Sequence, residues 1–210
     1  MEITERSLRA LVAAADERHR AGMRAMPEAI RTLHQETRGH RVGAAAPTGD
    51  AALAAFAESV ELAAVAAYGI AAKSGLVTTK AILDAAVAFS GHHQQHAAAF
   101  ASAAGDAATG AANQKLLDAL GPRLTAAKTE LDVVQFAYDL EQAAAATYLY
   151  ALGALESQAA LELTAAILPV EAQHAVVLGS VLGDRATADD YLPAFETATA
   201  ALDPMTYALG

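Results

Sequence analysis

Two stretches of this 210-residue chain repeat each other about 80 residues apart. Glu61-Leu-Ala-Ala-Val-Ala-Ala-Tyr68 corresponds to Glu141-Gln-Ala-Ala-Ala-Ala-Thr-Tyr148, and His93-Gln-Gln-His96 corresponds to Glu171-Ala-Gln-His174. Glu61 precedes His93 by 32 residues and Glu141 precedes Glu171 by 30, so each half carries one carboxylate helix followed by a helix with paired polar residues at i and i+3. Residues at that spacing share a helix face, and two such halves predict a four-helix bundle able to hold two metal ions.

The composition agrees with an all-α fold. Hydrophobic residues make up 54% of the chain and aromatics only 5%, with alanine dominant, and alanine costs least in a helix. The chain is long enough to bury one substantial core. Without cysteine, disulfides and thiolate sites are excluded, so any metal is held by His and carboxylate. Residues 1–45 hold eight Arg against six acids, while residues 46–210 hold six Lys or Arg against eighteen acids. An acidic body argues against a nucleic-acid partner and suits cation uptake. No run of about 18 uninterrupted apolar residues marks a spanning helix, and Met1 to Arg9 already contains two Glu, unlike a secretory leader.

Three parts follow along the chain. Residues 1–45 read as an Arg-rich helical arm and linker, 46–185 as the bundle, and 186–210 as a tail packed on it. In the arm, Ile3, Leu8, Leu11, Val12 and Ala15 keep helical spacing, and Met26-Pro27-Glu28 is expected to open a second short helix carrying Ile30 and Leu33. Gly39 to Gly49, with Pro47, is the linker. Asp50 is the expected N-cap of the first bundle helix, which ends at Ser74-Gly75. Thr78 and Thr79 start the second, which runs to Gly105. The segment from Gly105 to Pro122 reads as a crossover with one short turn of helix at Leu116, Leu117 and Leu120. The third helix is expected from about Arg123 to Glu156, and the fourth from Gln158 to Gly183.

Two residues of an antiparallel hairpin lie level when they are equally far from the turn. The midpoint between Glu61 and the His93/His96 pair falls at about Val77 or Thr78, and that between Glu141 and the Glu171/His174 pair at about Glu156 or Ser157. Both midpoints fall in expected turns, so Glu61, His93, His96, Glu141, Glu171 and His174 belong at one level. Buried carboxylates among Ala, Val and Leu need a partner, a proton or a cation. Carboxylates with neutral imidazoles suit Fe, Mn or Zn. Tyr68 and Tyr148, each seven residues after its Glu, are candidates for donors or redox neighbours on the same faces. Gly91 and Pro169, each two residues ahead of a paired set, are expected to loosen their helices there.

Rival readings stand beside these. Glu58 competes with Glu61 for the first carboxylate position, although only Glu61 aligns with Glu141. His92 has no counterpart in the second half and reads as solvent-facing or loosely bonded. His19, His34 and His40 show no ligand spacing and read as surface residues. Glu130, Glu156 and Glu162 fit exposed faces or helix ends, and either tyrosine can equally be core packing with a satisfied hydroxyl.

The order Glu, a His-containing pair, Glu, then Glu-x-x-His resembles the ferritin-like superfamily. Residues 54 to 68, Ala-Ala-Phe-Ala-Glu-Ser-Val-Glu-Leu-Ala-Ala-Val-Ala-Ala-Tyr, are similar to the first helix of bacterial ferritin-like domain proteins. The likeness spans about residues 50 to 183. It implies two iron or manganese ions, oxidation of Fe²⁺ by O₂ or other oxygen and peroxide chemistry, and a homo-oligomer as one form of assembly. Glu61, His96, Glu141, Glu171 and His174 match the superfamily's positions. His93 departs from them, because a Glu normally bridges both ions there, whereas a neutral imidazole offers one lone pair to one ion. Relatives are often exported by a twin-arginine leader; this chain lacks that leader and reads as cytoplasmic as given, with Arg41 to Pro47 lying where such a segment would have been. Three classes of function remain open: a di-iron oxidoreductase resembling ferroxidases, a Zn, Mn or Fe sequestering protein without turnover, and a ferritin-like scaffold acting through its arm.

Overall fold

A computed structural model describes residues 3–37, 49–183 and 198–209, and the side chains of all of these except 25–37. The linker before Gly49, the boundaries at 45/46 and 185/186, His40, Pro193 and the side chains of Ile30, Leu33 and His34 lie outside the described residues. The described chain is helical, with helices α1 (Glu5–Thr37), α2 (Asp50–Lys73), α3 (Lys80–Ala104), α4 (Gln114–Ala126), α5 (Glu130–Leu152) and α6 (Gln158–Leu182). Helices α2 and α3 form one hairpin and α5 and α6 the other, with α4 in the crossover between them. Helix α1 packs on α3 and α6.

The hairpin turns fall where glycines and caps dictate. Ser74 ends α2 and Gly75 follows with φ of 75°, a left-handed conformation that glycine adopts without a Cβ penalty. Gly105, at φ of 59°, ends α3. Ser157 caps α6 by accepting from Ala160 N, and Asn113 caps α4 by accepting from Leu116 N.

Four expectations about helix ends are corrected. The arm is one helix from Glu5 to Thr37, continuous through Met26-Pro27-Glu28; the good helix formers around Pro27 outweigh the one lost hydrogen bond. The crossover contains a true helix, α4, that runs on through Pro122 to Ala126. The third bundle helix therefore begins at Glu130, not Arg123, under a capping box in which Thr129 and Asp132 exchange side-chain to backbone bonds. Asp50 is the first residue of α2 and not its cap, a position held by Gly49. Its carboxylate instead accepts from the N–H groups of Glu156 and Ser157, in the turn between α5 and α6.

Glu130 does the same for the other hairpin. Its carboxylate, at the start of α5, accepts from Thr78 N at 2.7 Å, Thr79 N at 2.8 Å and Thr79 Oγ1 at 2.8 Å. Each hairpin turn is thus held by a carboxylate that opens a helix of the other hairpin. Glu58 is buried and accepts from Thr109 N and Gly110 N in the crossover, away from the paired residues on α3 and α6. Helices α3 and α6 continue unbroken through Gly91 and Pro169.

The core divides into two apolar layers. One gathers Ala64, Ala67 and Tyr68 of α2, Ala85 and Phe89 of α3, Val133 and Leu140 of α5, and Leu178 of α6, with Leu8 and Val12 of α1 against it. The other gathers Ala54 and Ala57 of α2, Phe100 and Ala103 of α3, Ala144 and Tyr148 of α5, and Leu163 and Ile167 of α6, with Met23 of α1 against it. Along every bundle helix the polar residues of the repeat fall between these two layers. A smaller cluster of Phe56, Val60, Ala63 and Leu116 lies under Leu202 and Tyr207 of the tail, and Asn113 Nδ2 ties that tail by donating to Tyr207 O at 2.8 Å.

Helices α2 and α6 are each long and apolar enough to cross a membrane by length and composition, which the search for one uninterrupted apolar run overlooks. Here α2 packs most of that surface inside the bundle, as α6 does much of its own, and each carries a buried carboxylate.

The bonds from Thr78 and Thr79 hold the Glu130 carboxyl below its ordinary value of 4.5, against the effect of burial. Its contribution is therefore present above pH 4.5 and is lost as pH falls through the lowered folded value. Glu130→Ala is expected to cost about 1 kcal/mol at pH 7, a gap to wild type that closes in acid. Urea unfolding at pH 7 and at acid pH measures both.

Candidate metal centre

Six side chains meet between the two apolar layers. Glu61 (α2), His93 and His96 (α3), Glu141 (α5), and Glu171 and His174 (α6) are all buried, none more than 1% exposed. They form two overlapping groups whose ligand atoms lie within 4.8 Å of one another: Glu61, His93, His96 and Glu171, and His93, Glu141, Glu171 and His174. Glu171 spans both groups. Its Oε1 lies 2.8 Å from His96 Nδ1, and its Oε2 lies 3.4 Å from His174 Nδ1.

His93 lies between the two halves as well. Its Nδ1 is 2.6 Å from Glu61 Oε2 and its Nε2 3.1 Å from Glu141 Oε1. Glu61 Oε1 is 3.4 Å from His96 Nδ1, and Glu141 Oε2 is 3.2 Å from His174 Nδ1. Tyr68 reaches across the bundle to donate to Glu141 Oε1, and Tyr148 donates to Glu61 Oε1. Each tyrosine thus serves the carboxylate of the opposite half.

This donor set fits a cation. Both oxygens of Glu171 and His96 Nδ1 are buried without a hydrogen-bond partner among the described residues, although His96 Nδ1 and Glu171 Oε1 are only 2.8 Å apart. Their close approach therefore lacks hydrogen-bond alignment, and orphaned buried acceptors of this kind cost several kcal/mol unless an ion fills the need. Three carboxylates and three imidazoles, all on rigid helices, make the oxygen and nitrogen set that suits first-row divalent ions.

Electrostatics describe what holds the site when protons take the place of a metal. Burial disfavours the charged imidazole of His93, but Glu141, Glu171 and Glu61 outweigh it and push its pKa well up. The same competition raises His96 to about 9 and raises His174. Burial alone would raise Glu61 and Glu141, yet the neighbouring imidazoles hold both carboxyls low. Burial and then the facing carboxylates lift both tyrosine hydroxyls well above 10, so each remains a neutral donor. Metal ligation requires neutral imidazole, so ion binding at this site displaces protons.

Two histidines read as surface residues are corrected here. His92 is 1% exposed and His19 is 4% exposed. His92 Nδ1 lies 2.9 Å from His174 Nε2, and His19 Nε2 lies 3.0 Å from His96 Nε2. The rings of His19 and His92 stack with centroids 3.8 Å apart. Signals for both exist in the sequence. His92 precedes His96 by four residues, and His19 continues the stripe of Leu8, Val12 and Ala15 by one further turn. Leu11, counted in that stripe, is instead exposed.

Tyr68→Phe and Tyr148→Phe each remove a donor from a buried carboxylate. In protein stripped of metal by chelation, each is expected to lower unfolding stability by about 1.5–3 kcal/mol, read by urea denaturation; equal stability with wild type would show the hydroxyls to be idle.

No curated protein and no solved structure matches the chain. The Ferritin-like domain family matches residues 49–184, from the start of α2 to just past the end of α6. That span is well over half of the sequence and contains all six converging side chains, and the chain belongs to this family.

Proposed function

We propose that this protein binds two divalent metal ions at the six-residue centre and, with Fe²⁺ as substrate, oxidises it. The observation that carries the reading is Glu171, whose two oxygens face the two halves and have no hydrogen-bond partner among the described residues. Glu61 and His96 would hold one ion, Glu141 and His174 the other, and Glu171 would bridge. Two Fe²⁺ ions each give one electron to O₂, which takes up two protons and leaves as hydrogen peroxide. Tyr68 and Tyr148 fix the two terminal carboxylates by hydrogen bonds while remaining protonated. Mn²⁺ and Zn²⁺ suit the same donors.

Access comes from the α1 side. A cavity of about 180 Å³ between α1 and α6 is lined by Arg18, His19, Met23, Pro169, Gln173 and His96. Its wall joins an exposed residue, Arg18, to His96 at the centre.

His93 makes the two ion positions unequal. It belongs to both groups, but a neutral imidazole has one lone pair for metal. One ion therefore gains four protein ligands and the other three. This supports a second reading, sequestration of a metal without turnover, because among the described residues Glu171 is left as the one carboxylate common to both groups.

Anaerobic titration with Fe²⁺ is expected to show two equivalents binding in two separated steps, followed by O₂ consumption when air is admitted. Tight binding with no O₂ uptake would favour sequestration, and no binding would overturn both readings. Glu171→Ala is expected to lose both steps. His93→Glu, which adds a second carboxylate between the halves, is expected to tighten the weaker step and to destabilise the metal-free protein, seen by the same titration and by thermal melting.

A further inference from the structure

We infer that α1, a helix outside the family match, completes the metal centre by holding the outer nitrogens of two of its three ligand histidines, His96 through His19 and His174 through Asp16 and His92. This rests on the metal reading above. The geometry is a pair of chains running from the centre to one helix. On one side His96 presents Nδ1 to Glu171 and Glu61, and Nε2 to His19 Nε2 at 3.0 Å. On the other His174 presents Nδ1 to Glu141 and Glu171, and Nε2 to His92 Nδ1 at 2.9 Å, while His92 Nε2 lies 3.2 Å from Asp16 Oδ1.

The order of protons follows from the far end of the second chain. As a carboxylate, Asp16 accepts and cannot donate, so His92 gives it the Nε2 proton. Neutral His92 then has only an acceptor at Nδ1, and His174 must donate Nε2–H to it. The lone pair of His174 is left at Nδ1, facing the centre. Arg20 pairs with Asp16 on the same face of α1.

For His96 the acceptor is His19, whose buried ring brings its Nε2 to 3.0 Å from His96 Nε2. Accepting at Nε2, His19 carries its own proton at Nδ1, and that buried Nδ1 has no partner among the described residues. An apolar residue at this point of the stripe would avoid the orphan, so packing alone does not account for a histidine here. Asp16 and His19 lie three residues apart on α1, one turn, and face the two ligand histidines together. They act as positioning residues that set ring orientation and tautomer, and they touch no ion themselves.

The test is a Co²⁺ titration of the full-length protein, followed by visible absorption. Wild type is expected to bind two equivalents. His19→Leu and His92→Leu are each expected to weaken one equivalent by about 10–100-fold while leaving the other near its wild-type affinity, and the two variants should affect opposite steps. His19→Gln and His92→Gln, whose amide oxygens can still accept from the ligand ring, should recover most of the loss, and Asp16→Ala should reproduce a weaker form of His92→Leu. Circular dichroism of each variant separates these effects from unfolding, and the glutamine variants carry the test where a leucine variant fails to fold. If wild type binds no Co²⁺, the metal reading falls and this inference with it. If wild type binds two equivalents and the leucine variants match it within about threefold, or the leucine and glutamine variants weaken both steps alike, the centre stands and the role of α1 is overturned.

Discussion

A layer of charge is enclosed between two layers of alanine, leucine and aromatic side chains, and the rest of the architecture answers to it. Three carboxylates and three imidazoles lie where water is excluded on both sides along the bundle axis. Separating them would require pulling a helix out of its apolar layers, at a cost far above that of any single ion pair. The site is therefore preorganised: its geometry is set by hydrophobic burial elsewhere, not by attraction among its members. Glu171 shows the consequence, since its oxygens lie against the imidazoles of His96 and His174 yet form no hydrogen bond among the described residues.

The two halves are also incomplete without each other. Each hairpin's turn relies on a carboxylate at the start of a helix in the other, Glu130 for the first and Asp50 for the second. Glu61 and Glu141 each take a tyrosine from the other half, Tyr68 to Glu141 and Tyr148 to Glu61. A hairpin alone would leave two turn N–H groups without their carboxylate and one buried carboxylate without its tyrosine. Folding of the halves is thereby coupled through hydrogen bonds as well as through the shared core.

Much of this was legible because the repeat fixes register. The all-α fold, the turns at Ser74-Gly75 and near Ser157, and the single level of the six residues follow from spacing and glycine placement alone. The start of α5 was not legible, since the signal at Thr129-x-x-Asp132 competes with an equally helical stretch from Gln114 to Ala126. Asp50 and Glu130 were read locally, as a cap and as an exposed helix end, because a contact across some 50 to 100 residues leaves no periodic trace. His19 and His92 were missed for a related reason. Neither has a counterpart in the repeat, and a search built on internal symmetry passes over what only one half possesses. Extending the α1 stripe past Ala15 to His19 would have found the first of them.

Asymmetry at the centre has an electrostatic meaning as well. Where the second half has Glu171, the first has His93, so the layer holds three negative charges. One divalent ion together with a protonated His93 balances them. Two divalent ions with neutral imidazoles exceed them by one, and that excess calls for an anion from solvent or from the substrate in the same dry space. Occupancy of a second position would thus be coupled to arrival of an anionic ligand, whereas a first ion would need none. The cavity between α1 and α6 leads to the His96 side of the layer, so the helix that holds His96 in place also borders the route by which such a ligand would enter.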